Sequence, residues 1–404
     1  MVRAAFVSGL LGWGMGFYGP PIFLHAVVSA NQWSVSLVSA AITLHYLFGA
    51  FVVSRLPKLH ARHGVPRITL TGAFALALGV VGWSLARQPW QLFAAAILSG
   101  AGWVTMSAAG INAMIAPWFE RKRPVALSRA YNGASVGGMV FAPLWSLLIA
   151  QFGFPAAAGI ISVGMLLVMI WLTQRVLNFT PEALGQNVDD LPAGEPSQGA
   201  KMSSTPASRI ASLPGRALWK SPQFLTLAAA MSLSLFAQSG LVSHLYLLLV
   251  PMLGTQGAGW SMTLMTACAV LGRTLFARAV TNTRERRLLS CASFAMQMCG
   301  VMLLMTATQS GLPLWCGLVL FGAGLGNAIS LPPLIAQADF ASADVARVVA
   351  LIVAVSQALY AFAPLTFAIL LKVDASHLGF FVGALALQML AITALWMGRA
   401  KTTA

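Results

Sequence analysis

Apolar runs of about twenty residues recur along nearly the whole chain, parted by short basic or Pro-, Gly- and Asn-containing breaks, and they constrain this sequence more than any other feature. A helix needs roughly 20 apolar residues to cross about 30 Å of hydrocarbon. The breaks delimit twelve such runs, the first six at 4–29, 35–53, 68–85, 92–118, 125–151 and 154–172. The second six lie at 224–250, 260–280, 288–307, 312–338, 348–371 and 377–398. A soluble domain carries about 25% charged residues, whereas 8% are charged here and 58% are hydrophobic, too little polarity to build a water-facing surface. Most soluble enzyme classes are thereby excluded, and an all-α membrane protein is expected.

The charge balance points the same way. With 24 Lys and Arg against 9 Asp and Glu, the chain would suit nucleic acid if the basic residues shared a polar face. They are instead parted by the apolar runs, so no nucleic-acid partner is expected. Cytoplasmic loops carry the excess of Lys and Arg. Placing the amino terminus in the cytoplasm puts Arg3, the Arg55 to Arg67 cluster, Arg121, Lys122, Arg123 and Arg129 inside. The same choice places Arg175, the basic residues of the central segment, Arg278, Arg284, Arg286, Arg287, Arg347, Arg399 and Lys401 there. Of all 24, only Arg87 and Lys372 fall outside, and Arg273 falls within a run. Both termini are therefore expected in the cytoplasm of an inner-membrane protein.

The polar segment 178–221, rich in Pro, Ser, Gly and Ala, buries too little apolar surface to order itself and reads as a linker. It divides the chain into bundles at 1–177 and 222–404. Val28-Ser29-Ala30 has the look of a cleavage site, but the run before it is too long for a signal peptide and holds Pro20-Pro21, so an uncleaved first helix is expected. Cys268, Cys291, Cys299 and Cys316 lack the spacing of a zinc site or disulfide framework. Neither a metal, a cofactor nor a catalytic set is expected.

The halves resemble each other in order, the mark of a transporter built from repeated bundles. Phe141-Ala142-Pro143-Leu144 matches Phe362-Ala363-Pro364-Leu365, and Phe119 matches Phe340 at the same spacing. Gly49 and Arg55 answer to Gly272 and Arg278, and His25 to His244.

These features resemble the major facilitator superfamily, which implies twelve transmembrane helices in two pseudo-symmetric six-helix bundles. A finer resemblance runs from Trp118-Phe119-Glu120-Arg121-Lys122-Arg123-Pro124 through Asn132-Gly133-Ala134-Ser135-Val136-Gly137-Gly138 to Pro143-Leu144. It is similar to the monocarboxylate transporters and the oxalate/formate antiporters, as is Pro181-Glu182-Ala183-Leu184-Gly185. The acidic residue usual in the 2–3 loop of the superfamily is absent.

Arg273 is the one obligate charge well inside a run. An arginine near the bilayer centre costs roughly 2.5–3.5 kcal/mol on insertion scales. Either its planar fork faces a central cavity and binds a carboxylate, or it snorkels toward Arg278, about 7.5 Å further along the helix. The resemblance implies the first, and implies that the membrane-embedded aspartate paired with this arginine in the family is replaced here by Cys268-Ala269. The second anion anchor, a lysine in the eleventh helix of oxalate exchangers, corresponds to Gln357. One fixed cation favours a monocarboxylate over a dicarboxylate. His244 and His25 suit anion binding or proton transfer, or hydrogen bonding to a neighbouring helix. Tyr18, Asn112 and Asn327 are candidates to shape the cavity.

The expected protein is thus a monomeric transporter of a small organic anion embedded in the lipid bilayer. An efflux pump for hydrophobic or amphipathic compounds is the alternative with the same fold, and a non-transporting receptor the alternative of another class.

Overall fold

The computed structural model describes residues 1–120, 122–185, 188, 215–281, 286–307, 311–328, 330–373 and 376–399. Most of the expected linker lies outside the described residues, as do Arg121, Arg284 and Lys401. The described chain is all-helical. In the first half come α1 (Val2–Gly16), α2 (Gly19–Asn31), α3 (Val35–His63), α4 (Val65–Leu85), α5 (Pro89–Trp103), α6 (Ala108–Ile115) and α7 (Arg123–Leu172). After the short α8 (Gly215–Leu218) follow α9 (Pro222–Thr281), α10 (Arg286–Thr306), α11 (Leu312–Leu325) and α12 (Leu331–Asp339). The chain closes with α13 (Ser342–Tyr360), α14 (Ala363–Val373) and α15 (Leu378–Met397). Among the described residues, 8 helices are long and apolar enough to cross a membrane, which makes this a multi-pass membrane protein.

Two of the long helices are double. α7 and α9 leave helical geometry at Gly153 (φ 78°) and Gly254 (φ 69°), a region in which only glycine is at ease. The sequence places a break at 251–259, whereas the helix runs through Pro251 and turns at the glycine alone. α3 likewise continues past the expected end at 53 to His63, so Arg55, Lys58 and Arg62 extend a helix rather than occupy a loop. Ser34 starts that helix by accepting a hydrogen bond from the Leu37 N–H at 3.3 Å.

Four runs expected to be continuous are interrupted. The first breaks between α1 and α2, where Pro20 and Pro21 supply no N–H. The carbonyl of Gly16, which an unbroken helix would pair with residue 20, is left without a backbone donor. A 3-10 turn at Val104–Met106 separates α5 from α6. α11 ends at Leu325 and α12 begins at Leu331, opening on Pro332 and Pro333, and Ala361-Phe362 separate α13 from α14 ahead of Pro364.

Within the first half α1 packs on α7, α4 on α5 and α7, and α3 on α5; within the second, α9 packs on α11, α13 and α15, and α10 on α11 and α15. Close approaches repeat between the halves. A Cβ on Gly100 would run into the His45 carbonyl oxygen, and one on Gly322 into that of Met265. The approaches of Gly79 to Ser99 and of Gly102 to Leu76 are mirrored by Gly300 to Phe321 and Gly324 to Gln297. Between the halves, α7 meets α9, α3 meets α14 and α2 meets α9.

Candidate functional site

Breaking the first span aims Tyr18 inward, and four further spans close around it. A Cβ at Gly138 of α7 would lie 2.7 Å from the Tyr18 ring and 2.8 Å from Thr266 Cγ2 of α9, so the missing side chain makes room for both. Phe17 and Tyr18 meet edge to face at 5.1 Å, Tyr46 of α3 stands 6.1 Å from Trp103, and Tyr46 meets Tyr360 of α13 at 6.0 Å. Three of the chain's 5 tyrosines thus converge from both halves. Among the described residues, none of their phenols makes a hydrogen bond.

Arg273 lies within electrostatic reach of the Tyr18 phenol. Its Nε–H donates to the Gly326 carbonyl at 2.7 Å, at the end of α11. Among the described residues Arg273 is the donor to that carbonyl, since the Ser330 N–H, four residues on, donates to Asn327 instead. A cation there also suits the negative end of the helix dipole. The Nη groups of Arg273 make no hydrogen bond among the described residues, and no carboxylate there accompanies it.

The other sequence candidates disperse. His244 is fully buried, with Nδ1 2.9 Å from the Gly240 carbonyl and Nε2 3.0 Å from Ser39 Oγ. Both ring nitrogens are engaged, so it bridges α9 and α3 rather than facing the tyrosines. Asn112 accepts from Arg123 Nη2 at 2.9 Å and ties α6 to the start of α7. Asn327 sits in the α11–α12 break beside Arg273's anchor, but its Nδ2 donates to Ser293 Oγ of α10 at 2.9 Å. Gln357, half-buried, precedes Tyr360 by one helical turn and has no side-chain hydrogen bond among the described residues. His25 lines a separate cavity. Of the residues named from sequence, Arg273 and Tyr18 are brought together, with Gln357 one turn from the cluster. Tyr46 was missed; nothing in a lone tyrosine beside His45 tells which helix face meets the other half.

The hydrogen bonds that join the halves among the described residues are Ser39 to His244, the Leu365 N–H to Thr43 Oγ1 at 3.2 Å, Ser146 to Tyr246 at 3.0 Å, and Thr263 Oγ1 to the Met139 carbonyl at 2.8 Å. They lie at mid-depth or toward the face opposite Met1.

A multi-pass helical protein with a polar cluster at the meeting of two halves has the architecture of a membrane transporter. Residues 4–364 match the Major Facilitator Superfamily, and the chain belongs to that family. Over 144 residues it is 32% identical to MFS-type transporter 1 of Ophiocordyceps sp. (strain BCC 1869), covering 35% of this chain and 31% of that protein. Over 139 residues it is 30% identical to MFS transporter asaE of Aspergillus flavus, covering 34% and 30%. The matched stretch therefore spans about a third of these curated relatives. In fold the chain is similar to the peptide transporter POT in complex with sulfate (TM-score 0.72, 14% identity, 98% of this chain and 93% of that one). It is also similar to the nucleoside transporter NupG in a mutant form (TM-score 0.73, 10% identity, 98% of each chain).

Proposed function

We propose that this transporter moves a small organic monoanion, a monocarboxylate, across the inner membrane by alternating access. The observation that carries the reading is the Arg273 guanidinium, its Nη groups without a hydrogen bond among the described residues, within electrostatic reach of Tyr18 in a cluster that Tyr46 and Tyr360 complete. A guanidinium binds a carboxylate bidentately, and the exclusion of water strengthens the pair. Tyr18, Tyr46 and Tyr360 supply donors for the remaining oxygens, and Gln357 borders them. In this reading His244 seals the far seam and Asn112 and Asn327 hold the broken spans, while His25 belongs to another site. Without a carboxylate beside Arg273, cargo itself neutralises the cation, which favours exchange or uniport over proton symport.

The reading takes the protein as a monomer of twelve spans in two bundles, 1–177 and 222–404, with both termini in the cytoplasm. Supporting that count, α7 and α9 each divide at their glycine, and α1 with α2 and α11 with α12 each make one broken span. In this reading the joined seam is the one away from the cytoplasm.

A second reading, efflux of hydrophobic or amphipathic compounds, is favoured by the rings around the site, among them Trp13 at 5.7 Å from Trp103. Melting of the purified chain against lactate, pyruvate and benzoate identifies a cargo, since a ligand of the folded state raises the melting temperature. Uptake of that cargo into proteoliposomes then separates the readings. Arg273→Lys keeps the charge but loses the planar fork, and should cut initial uptake about tenfold or more. Undiminished uptake overturns the anion reading and favours efflux.

A further inference from the structure

A cavity of about 420 Å³ lies on the face opposite Met1, away from the tyrosine cluster. Its first-half walls are the end of α2, the end of α4 and the Gly153 turn of α7, and its second-half walls are Tyr246 and Thr255 of α9. Ile22, Trp83 and Phe154 give it an apolar floor. Two basic side chains, His25 and Arg87, stand over that floor, and no carboxylate lines it. The His25 ring meets the edge of Tyr246 at 5.8 Å and makes no hydrogen bond among the described residues. The Arg87 side chain likewise makes no ion pair there. An apolar pocket with a few convergent polar groups is the ordinary form of a small-molecule site. An exposed guanidinium beside an imidazole selects for an anion.

The cavity is also built across the seam. Tyr246 donates to the Thr255 carbonyl at 3.2 Å and shares a 3.0 Å hydrogen bond with Ser146, so first- and second-half walls come together only while this seam is shut. A ligand touching both walls binds the shut state better than the open one, and shifts the population toward it by that difference. We propose that this cavity is a second, regulatory site for a small amphipathic monoanion, with the acid group toward Arg87 and the apolar body on Ile22 and Phe154. Its occupation holds the seam shut and slows transport. The inference shares no lining residue with the Arg273 cluster and stands whether or not that cluster carries carboxylates.

The test uses the purified full chain and 2-naphthoate as probe. Calorimetric titration should show binding that survives Arg273→Lys and weakens about tenfold in Arg87→Gln, the loss expected for one charge-assisted contact. Arg87 is exposed, so Arg87→Gln leaves the packing intact. Equal binding by wild type and Arg87→Gln overturns the proposal, as does loss of binding in Arg273→Lys alone, which would place the probe in the centre. A second readout follows the seam. In a background with the four native cysteines replaced by alanine, Ser39→Cys should react with an impermeant maleimide more slowly when 2-naphthoate is present. Adding Arg87→Gln should remove that protection. Unchanged or faster labelling overturns the regulatory role.

Discussion

Each half of the molecule contains a broken span with a carbonyl that accepts from a side chain of a neighbouring span, and the donating group differs between the halves. In the first half, Pro20 removes the donor that Gly16 would use, and His45 Nε2 donates to the Gly16 oxygen at 2.9 Å. The other ring nitrogen lies 2.8 Å from Ser99 Oγ, which also accepts from Trp83 Nε1 at 3.1 Å. In the second half the cap on Gly326 is Arg273. The imidazole is fully used by its surroundings; the guanidinium spends one N–H and keeps its fork. The shared plan thus comes from close helix approach, while each half meets its polar demands with its own chemistry, and the surplus donors fall on one side.

The contrast is sharpest near the Met1 face. There Arg287 of α10 is clamped by Asp339 at 2.6 Å, Thr226 Oγ1 at 3.1 Å and the Gln223 carbonyl at 2.8 Å. In the first half Arg123 donates to Asn112, a neutral amide, at 2.9 Å. Removing the Arg287 side chain leaves Asp339 and two further groups without their donor. Breaking a buried pair from one side costs about 3–5 kcal/mol. Arg287→Ala should therefore lower the detergent melting temperature far more than Arg123→Ala; equal losses would erase the distinction.

The shared plan is tested by Gly100→Ala and Gly322→Ala. Both push a methyl against a backbone oxygen, and overpacking of this kind costs about 1–3 kcal/mol. Similar losses of melting temperature in the two variants support a common architecture, and a large difference breaks it. A smaller effect belongs to the second half alone, where Gln388 Nε2 donates to Gln297 Oε1 at 2.9 Å between α15 and α10. Such hydrogen bonds inside membranes contribute about 0.6 kcal/mol on average. Gln297→Leu should cost about that and leave Gln388 unpaired, and adding Gln388→Leu should recover part of the loss. A double variant worse than the sum of both singles would show that the pair does something other than satisfy itself.

Hydropathy and charge act on each span separately, so the helical class was legible in the sequence, as were the ordered matches between the halves and the single arginine within a run, Arg273. The breaks at Phe17-Tyr18 and between Leu325 and Leu331 were not placed within the spans, although Pro20-Pro21 carries the signal for the first: a missing N–H leaves the carbonyl four residues back, that of Gly16, without its helical donor. Pro332-Pro333 marks the start of α12 but does not account for Gly326, whose position four residues on is Ser330. The destinations of His244, Asn112 and His25 were not legible. Each depends on what another span presents: Ser39 for His244, Arg123 for Asn112, and Tyr246 with the α2–α4 cavity for His25. The same limit hid Tyr46, which matters only because Tyr360 of the other half stands over it.

The turns at Gly153 and Gly254 have a mechanical consequence. Each reverses the chain within a residue or two, as the three residues between α2 and α3 also do. Joints so short hold no spare chain, so neighbouring spans cannot slide past one another like separate pistons; they are geared together as plates. The long join between the plates is the sequence from Leu177 to Gly215, and a crosslink tethering those two ends should stall the cycle without touching any residue that meets the cargo.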